Sequence, residues 1–193
     1  MIQVKDEWLD KLSKQISSDE EYEIIKYGLR QCFLTLINLM SALTCGAFWN
    51  EIPFVLLIFL GLFILRPYAG GYHADTQFRC YMISLGIMSF SIAGKKWINM
   101  PVKVWSCIYV CTFLIIWKNA PVENAQNPLE DKEMQIYSHK AKLIVVCYSL
   151  LEGMGIVLNN DVLCESLFYS VVITAILVLA GKWKYKNFKG EVI

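Results

Sequence analysis

The sequence predicts an all-α integral membrane protein with about six transmembrane helices, preceded by an amphipathic N-terminal helix. Three observations predict it. Six apolar runs, at residues 32–49, 52–65, 81–93, 104–117, 143–158 and 167–181, recur along a chain of 193 residues. A soluble domain can hide one such run in its core but hardly six. The composition is 56% hydrophobic with a mean hydropathy of +0.43, above the apolar share of water-soluble domains. The basic residues also divide unevenly between alternate loops, as in membrane proteins of fixed orientation. A net charge of +1 gives no electrostatic footprint for nucleic acid.

The first thirty residues are charged and interrupted, unlike a cleavable signal peptide. Ile2, Trp8, Leu9, Leu12 and Ile16 repeat at helical spacing with charges between them. That pattern suits a helix lying in a membrane interface, and equally a solvated helix packed on its own protein. Residues 17–21 then break and restart the helix, with Ser18 and Glu21 spaced as a capping box.

No linker or repeat divides the chain. The expectation is one membrane-embedded domain over residues 1–193. It comprises N-terminal interfacial or cytoplasmic helices at 1–30, a bundle at 31–181 and a basic cytoplasmic tail at 182–193. A span needs about 20 residues, with a floor near 17. Only the first run clears this comfortably, and the runs at 52–65 and 81–93 are short.

Charge sets the orientation. With a cytoplasmic N-terminus and six crossings, fifteen of the eighteen Lys and Arg residues face inward. Only Lys95, Lys96 and Lys103 face outward, as the positive-inside rule expects. A re-entrant hairpin over the two short runs would move only Arg66 and Arg79. Six crossings are preferred because thiols stay reduced in the cytosol.

Cys32, Cys45, Cys107, Cys111 and Cys147 lie within or beside apolar runs and read as packing residues, while Cys164 lies near an external loop. No CxxC or zinc spacing is present, so neither a disulfide framework nor a metal site is expected. Residues 119–142 read as a long loop, stiffened by Pro121 and Pro128 and acidic in its middle, with His139 at the surface. After the last run, Lys182-Trp183-Lys184-Tyr185-Lys186 alternates cations with aromatics, which suits an anchor at the inner leaflet.

Between the second and third runs lies Arg66-Pro67-Tyr68-Ala69-Gly70-Gly71-Tyr72-His73-Ala74-Asp75-Thr76-Gln77-Phe78-Arg79-Cys80. A thiol attacks a carbonyl as thiolate, and an imidazole is the usual acceptor of its proton. On one straight helix His73 and Cys80 would lie about 10 Å apart along the axis, so the segment must fold back. Gly70-Gly71 supplies backbone angles closed to other residues, and Pro67 discourages further helix. Cys80 falls in the first turn of the next helix, where the dipole and neighbouring Arg79 favour thiolate. Asp75 and Gln77 are candidates for a third polar group, and the Cys80 amide for an oxyanion donor. Arg66 is suited to a substrate carboxylate or to developing negative charge.

The wording of this stretch resembles the AgrB family, membrane peptidases of accessory gene regulator quorum-sensing systems. Arg66, Gly70, Gly71, His73, Ala74 and Cys80 fill the family pattern. A second segment, Asn119-Ala120-Pro121-Val122-Glu123, continuing to Asn127-Pro128-Leu129, is also similar. The resemblance implies a cysteine endopeptidase with His73 as base and Cys80 as nucleophile. It implies an AgrD-like precursor peptide as substrate, which arrives along the lipid bilayer as an amphipathic helix. The resulting acyl-enzyme thioester would be resolved into a thiolactone or lactone signal. Pro121 and Glu123 would help to shape the substrate groove. The resemblance further implies a bacterial cell membrane location, no cofactor, and compatibility with a homodimer.

Two other classes compete. A transporter or peptide-export subunit would carry more charge at membrane depth than Glu51, Glu152 and the motif arginines, and usually internal repeats. A metallopeptidase built on His73, Asp75 and Cys80 would lack HExxH or another convincing ligand set.

Overall fold

A computed structural model describes residues 19–74, 76–98, 101–123 and 130–185. The expected interfacial helix at 2–16, Ser18 of the capping box, Asp75, Asn127-Pro128-Leu129, Lys186 and Lys189 lie outside the described residues. Among the described residues six helices follow one another: α1 Asp19–Trp49, α2 Ile52–Ala69, α3 Gln77–Trp97, α4 Val102–Asn119, α5 Asp131–Val157 and α6 Asp161–Tyr185. Among the described residues there is no strand, only one isolated bridge. The chain forms two units, residues 1–41 and 42–193. The described part of the first is helix, in which Thr35 Oγ1 bonds back to the Gln31 carbonyl at 2.9 Å.

In the second unit, local signals set the helix ends. Asn50, at φ 57°, reverses the chain after α1, and the Glu51 amide bonds the Gly46 carbonyl at 2.7 Å. A proline opens α2, where its missing N–H has no intrahelical role. Glu130 and Glu133 form a reciprocal capping box on α5. Asn159, at φ 51°, closes α5, and the Asn160 side chain accepts the Leu163 amide at 3.1 Å to open α6.

α6 is the central helix. It is apolar on every side and packs against α2, α3, α4 and α5. On one side Leu65, Ile116, Val145, Val171 and Val178 form a core with α2, α4 and α5. On the other, Phe54, Ile58, Met88, Ile92 and Leu177 form a second with α2 and α3. Small residues let the backbones approach. Ser166, Ser170 and Thr174 recur every fourth position, buried, each hydroxyl bonding the carbonyl four residues earlier. Gly61 of α2 lies against Ser170, where an added Cβ would meet its Oγ at 2.5 Å. The Tyr148 hydroxyl reaches across from α5 to the Gly61 carbonyl at 2.9 Å.

Many large apolar side chains stand on the outside of the helices. Phe63, Phe90, Leu150 and Ile176 are 59–80% exposed, which suits lipid rather than water. Among the described residues, three helices are long and apolar enough to cross a membrane: Gly28–Trp49, Ile52–Ala69 and Asp161–Tyr185. The short run at 81–93 lies within a helix of 21 residues, about 31 Å long, although that helix is not one of the three.

Three expectations need correction. Pro67 does not end α2, which runs through it to Ala69. In the last turn proline removes one hydrogen bond, and the Gly70 amide still bonds the Arg66 carbonyl at 3.0 Å. The loop expected over 119–142 becomes helix at Asp131, because the Glu130–Glu133 box supplies a start. The tail expected from residue 182 is helical as far as Tyr185.

Candidate active site

The site is built where α2 ends. Arg66 lies in the last turn of α2, and its Nη2 donates to the Tyr72 carbonyl at 2.8 Å. Between them the chain reverses on two glycines. Gly70 has φ 67° and ψ −148°, a region essentially reserved for glycine. It forms a parallel bridge with Val122, whose amide donates to the Ala69 carbonyl at 3.1 Å. A Cβ on Gly70 would collide with the Val122 backbone. The two motif segments, about fifty residues apart in sequence, therefore meet as backbone on backbone.

Gly71, at φ 119°, lies against α6, and the Tyr72 amide donates to the Leu177 carbonyl at 2.8 Å. A Cβ on Gly71 would stand 2.8 Å from that carbonyl oxygen. Gly181, one turn on, completes the seat: its own Cβ would stand 2.5 Å from the Gly71 carbonyl carbon.

The chain then enters α3. Thr76 is the N-cap, its Oγ1 accepting the Arg79 amide at 3.3 Å. The Cys80 amide donates to the Thr76 carbonyl at 3.0 Å. It is thus taken by the helix, which corrects its expected role as an oxyanion donor. On α3, Cys80, Ile83, Ser84 and Ile87 share one face, spaced i, i+3, i+4 and i+7. Together with Arg66, Tyr72, Ala74 and Leu177 they line a small cleft. Cys80 is half-buried there as a free thiol. The amide end of α3 and the Arg66 guanidinium put positive charge beside the sulfur, as a nucleophilic thiolate needs. Arg66 Nε is buried without a hydrogen-bond partner among the described residues.

His73 stands between two lining residues, but its exposed ring does not line the cleft. Among the described residues no hydrogen bond joins it to Cys80. Its carbonyl accepts Lys184 Nζ at 2.9 Å, and the same ammonium lies 4.9 Å above the Tyr72 ring. Desolvation by the surrounding chain, then the positive charges of Arg66 and Lys184, hold its imidazole below the ordinary histidine value. That direction favours the neutral ring, the state a base requires.

The structure gathers Arg66, Gly70, Gly71 and Cys80 at one turn, with Pro121 alongside after the cis Ala120–Pro121 peptide. Glu123, half-buried, follows Val122. Gln77 and Arg79 are exposed at the start of α3 and do not line the cleft. All seven cysteines are free thiols, and Cys164 is buried with its Sγ 3.6 Å from the Glu152 carbonyl. No cluster of three metal-ligating side chains occurs among the described residues.

Sequence reasoning missed Thr76, Ser84 and Lys184. A threonine just before an apolar run signals an N-cap, and Ser84 is one helical turn from Cys80. Lys184 gave no such signal, since 111 residues separate it from its partner.

The profile of the accessory gene regulator B family matches residues 5–179. The chain is 27% identical to a putative AgrB-like protein of Clostridium perfringens strain SM101, over 95% of this chain and 90% of that one. It is 28% identical to putative AgrB-like protein 2 of Clostridium perfringens strain 13, covering 77% and 74% of the two chains. With the protein FsrB of Enterococcus faecalis it shares 23% identity over 80% of this chain and 63% of that one. No solved structure matches the chain.

Proposed function

The chain belongs to the accessory gene regulator B family, and we propose that it is a membrane-embedded cysteine endopeptidase of peptide quorum sensing. Its substrate is a short AgrD-like precursor, from which it removes the C-terminal part. One observation supports this most: Cys80 lines a cleft beside Arg66, at the amide end of α3.

In the reaction the His73 imidazole takes the proton of the Cys80 thiol. The thiolate adds to the scissile carbonyl carbon, the C–N bond breaks, and the imidazolium returns its proton to the departing amine. The N-terminal part of the precursor remains as a thioester on Cys80. A substrate thiol or hydroxyl then gives its proton to the neutral His73 imidazole and attacks that carbonyl. This closes a thiolactone or lactone ring and releases the Cys80 thiolate, which takes that proton back from the imidazolium. Arg66 balances charge on the sulfur or the tetrahedral oxygen. Ring closure must outrun hydrolysis, and a small cleft at a membrane interface keeps water scarce. His73 and Cys80 approach when peptide binds, as catalytic contacts commonly tighten in the substrate complex.

The six helices cross a bacterial cell membrane in this reading. Both termini are cytoplasmic, and the cleft opens near the inner leaflet, where the precursor lies along the lipid. Two copies can associate as a homodimer.

The test is mass spectrometry of the full chain in lipid vesicles with an AgrD-like precursor. The expected result is a precursor-derived acyl adduct on Cys80, absent in Cys80→Ser and strongly reduced in His73→Ala. Iodoacetamide should abolish processing and a chelator should not. Processing by Cys80→Ser at the normal rate would end the assignment.

A further inference from the structure

The last turn of α6 holds both motif segments. Lys182 Nζ donates to Asn119 Oδ1 at 2.7 Å, and Lys184 Nζ donates to the His73 carbonyl at 2.9 Å. The two contacts differ in consequence. Lys182 ties the second segment near its start, away from the imidazole. Lys184 grips the backbone of the candidate base itself and covers the adjoining Tyr72 ring at 4.9 Å. From Gly71 to His73, α6 supplies three contacts that fix the loop's height on the bundle: the Leu177 carbonyl, the Gly181 seat and the Lys184 ammonium.

We propose that Lys184 is a positioning residue of the active site, setting the place and charge environment of His73 from a helix distant in sequence. It rests on the reading of His73 as the base. Basic and aromatic residues after a last apolar run ordinarily anchor a helix at the lipid surface. Here the lysine also reaches the His73 carbonyl and the Tyr72 ring, and so acts on the histidine loop.

An ammonium that donates to the His73 carbonyl does two things. It removes freedom from a residue flanked by glycines on one side and the start of α3 on the other, and misplacing such a group by about 1 Å can slow a reaction about a hundredfold. It also adds positive charge near the ring, which resists protonation of the imidazole. Among the described residues, the charged groups that face His73 are Arg66 from α2 and Lys184 from α6, and removing Lys184 withdraws one of these two positive charges.

The chain has only two histidines, which makes a direct experiment available. Histidine-labelled full-length protein carrying His139→Gln, in lipid nanodiscs, gives one imidazole signal whose titration is followed by NMR. In Lys184→Met the midpoint should move to higher pH, in Lys184→Arg it should return towards its original position, and in Lys182→Gln it should stay. With an AgrD-like precursor, Lys184→Met should lower the rate of acyl-enzyme formation at saturating peptide by on the order of tenfold or more, with little change in the half-saturating concentration. A His73 titration in Lys184→Met identical to that of the unaltered lysine protein would overturn the proposal. So would a midpoint that moves equally in Lys182→Gln. If Lys184→Met does not accumulate as folded protein, Lys184→Gln is read by the same two criteria. The titration needs no substrate, so it can fail while acylation of Cys80 stands. Equally, it can succeed while acylation fails, which separates this inference from the proposed reaction.

Discussion

Replacing Gly71 by alanine tests the glycine seat with little change in chemistry. At φ 119° an L-residue is strained, at about 1–3 kcal/mol. The added methyl would also stand 2.8 Å from the Leu177 carbonyl oxygen and 2.9 Å from its carbon, where backbone cannot yield as a side-chain tip can. Relief requires the loop to lift from α6, breaking the bond from the Tyr72 amide to the Leu177 carbonyl. At about 1.4 kcal/mol per tenfold, backbone strain alone multiplies the lifted population by roughly 5 to 150. Limited proteolysis in nanodiscs reads this directly, because cleavage of a transiently open segment follows its population. Nicking between residues 70 and 76 should accelerate by that factor, and acylation of Cys80 should slow in parallel. Gly86→Ala is the control, since nothing lies within 4 Å of the new methyl. Nicking of Gly71→Ala no faster than that control would refute the seat.

Two further outcomes are expected. His73 is held below its ordinary value, which favours the neutral ring and moves protonation to lower pH. Acyl-enzyme formation should therefore be undiminished at pH 7 and fall at pH values below about 6.5, as a stopped-reaction pH profile would check; a loss beginning above pH 7 would contradict it. In the bundle, Gly61→Ala should destabilise the α2–α6 contact by about 1–3 kcal/mol through overpacking against Ser170. The loss should be partly restored in the double variant with Ser170→Gly, measured by thermal unfolding in detergent.

The apolar runs announced their helices well, because burial in lipid or core imposes the same hydrophobicity on every face. Boundaries were less legible. Pro67 reads as a stop from its ring alone, yet at the end of α2 it forfeits a single bond. The 119–142 stretch reads as loop by polarity, yet Glu130 and Glu133 cap a helix there. At the site, the glycine pair, His73 and Cys80 were visible because their chemistry is local in sequence. What those residues rest on was not. The meeting of Gly70 with Val122 and of Gly71 with Leu177 and Gly181 depends on how helices pack, and no spacing within one stretch encodes it. The inward turn of Lys184 was masked by a pattern that elsewhere means lipid contact.

The seat formed by Leu177, Gly181 and Lys184 has a bearing on biosynthesis. A ribosome delivers the histidine loop 111 residues ahead of the lysine that grips it. Until those later turns emerge, the histidine loop has nothing on which to settle. The loop would thus take its final place only late in translation, and chains cut short before that helix would leave it unseated.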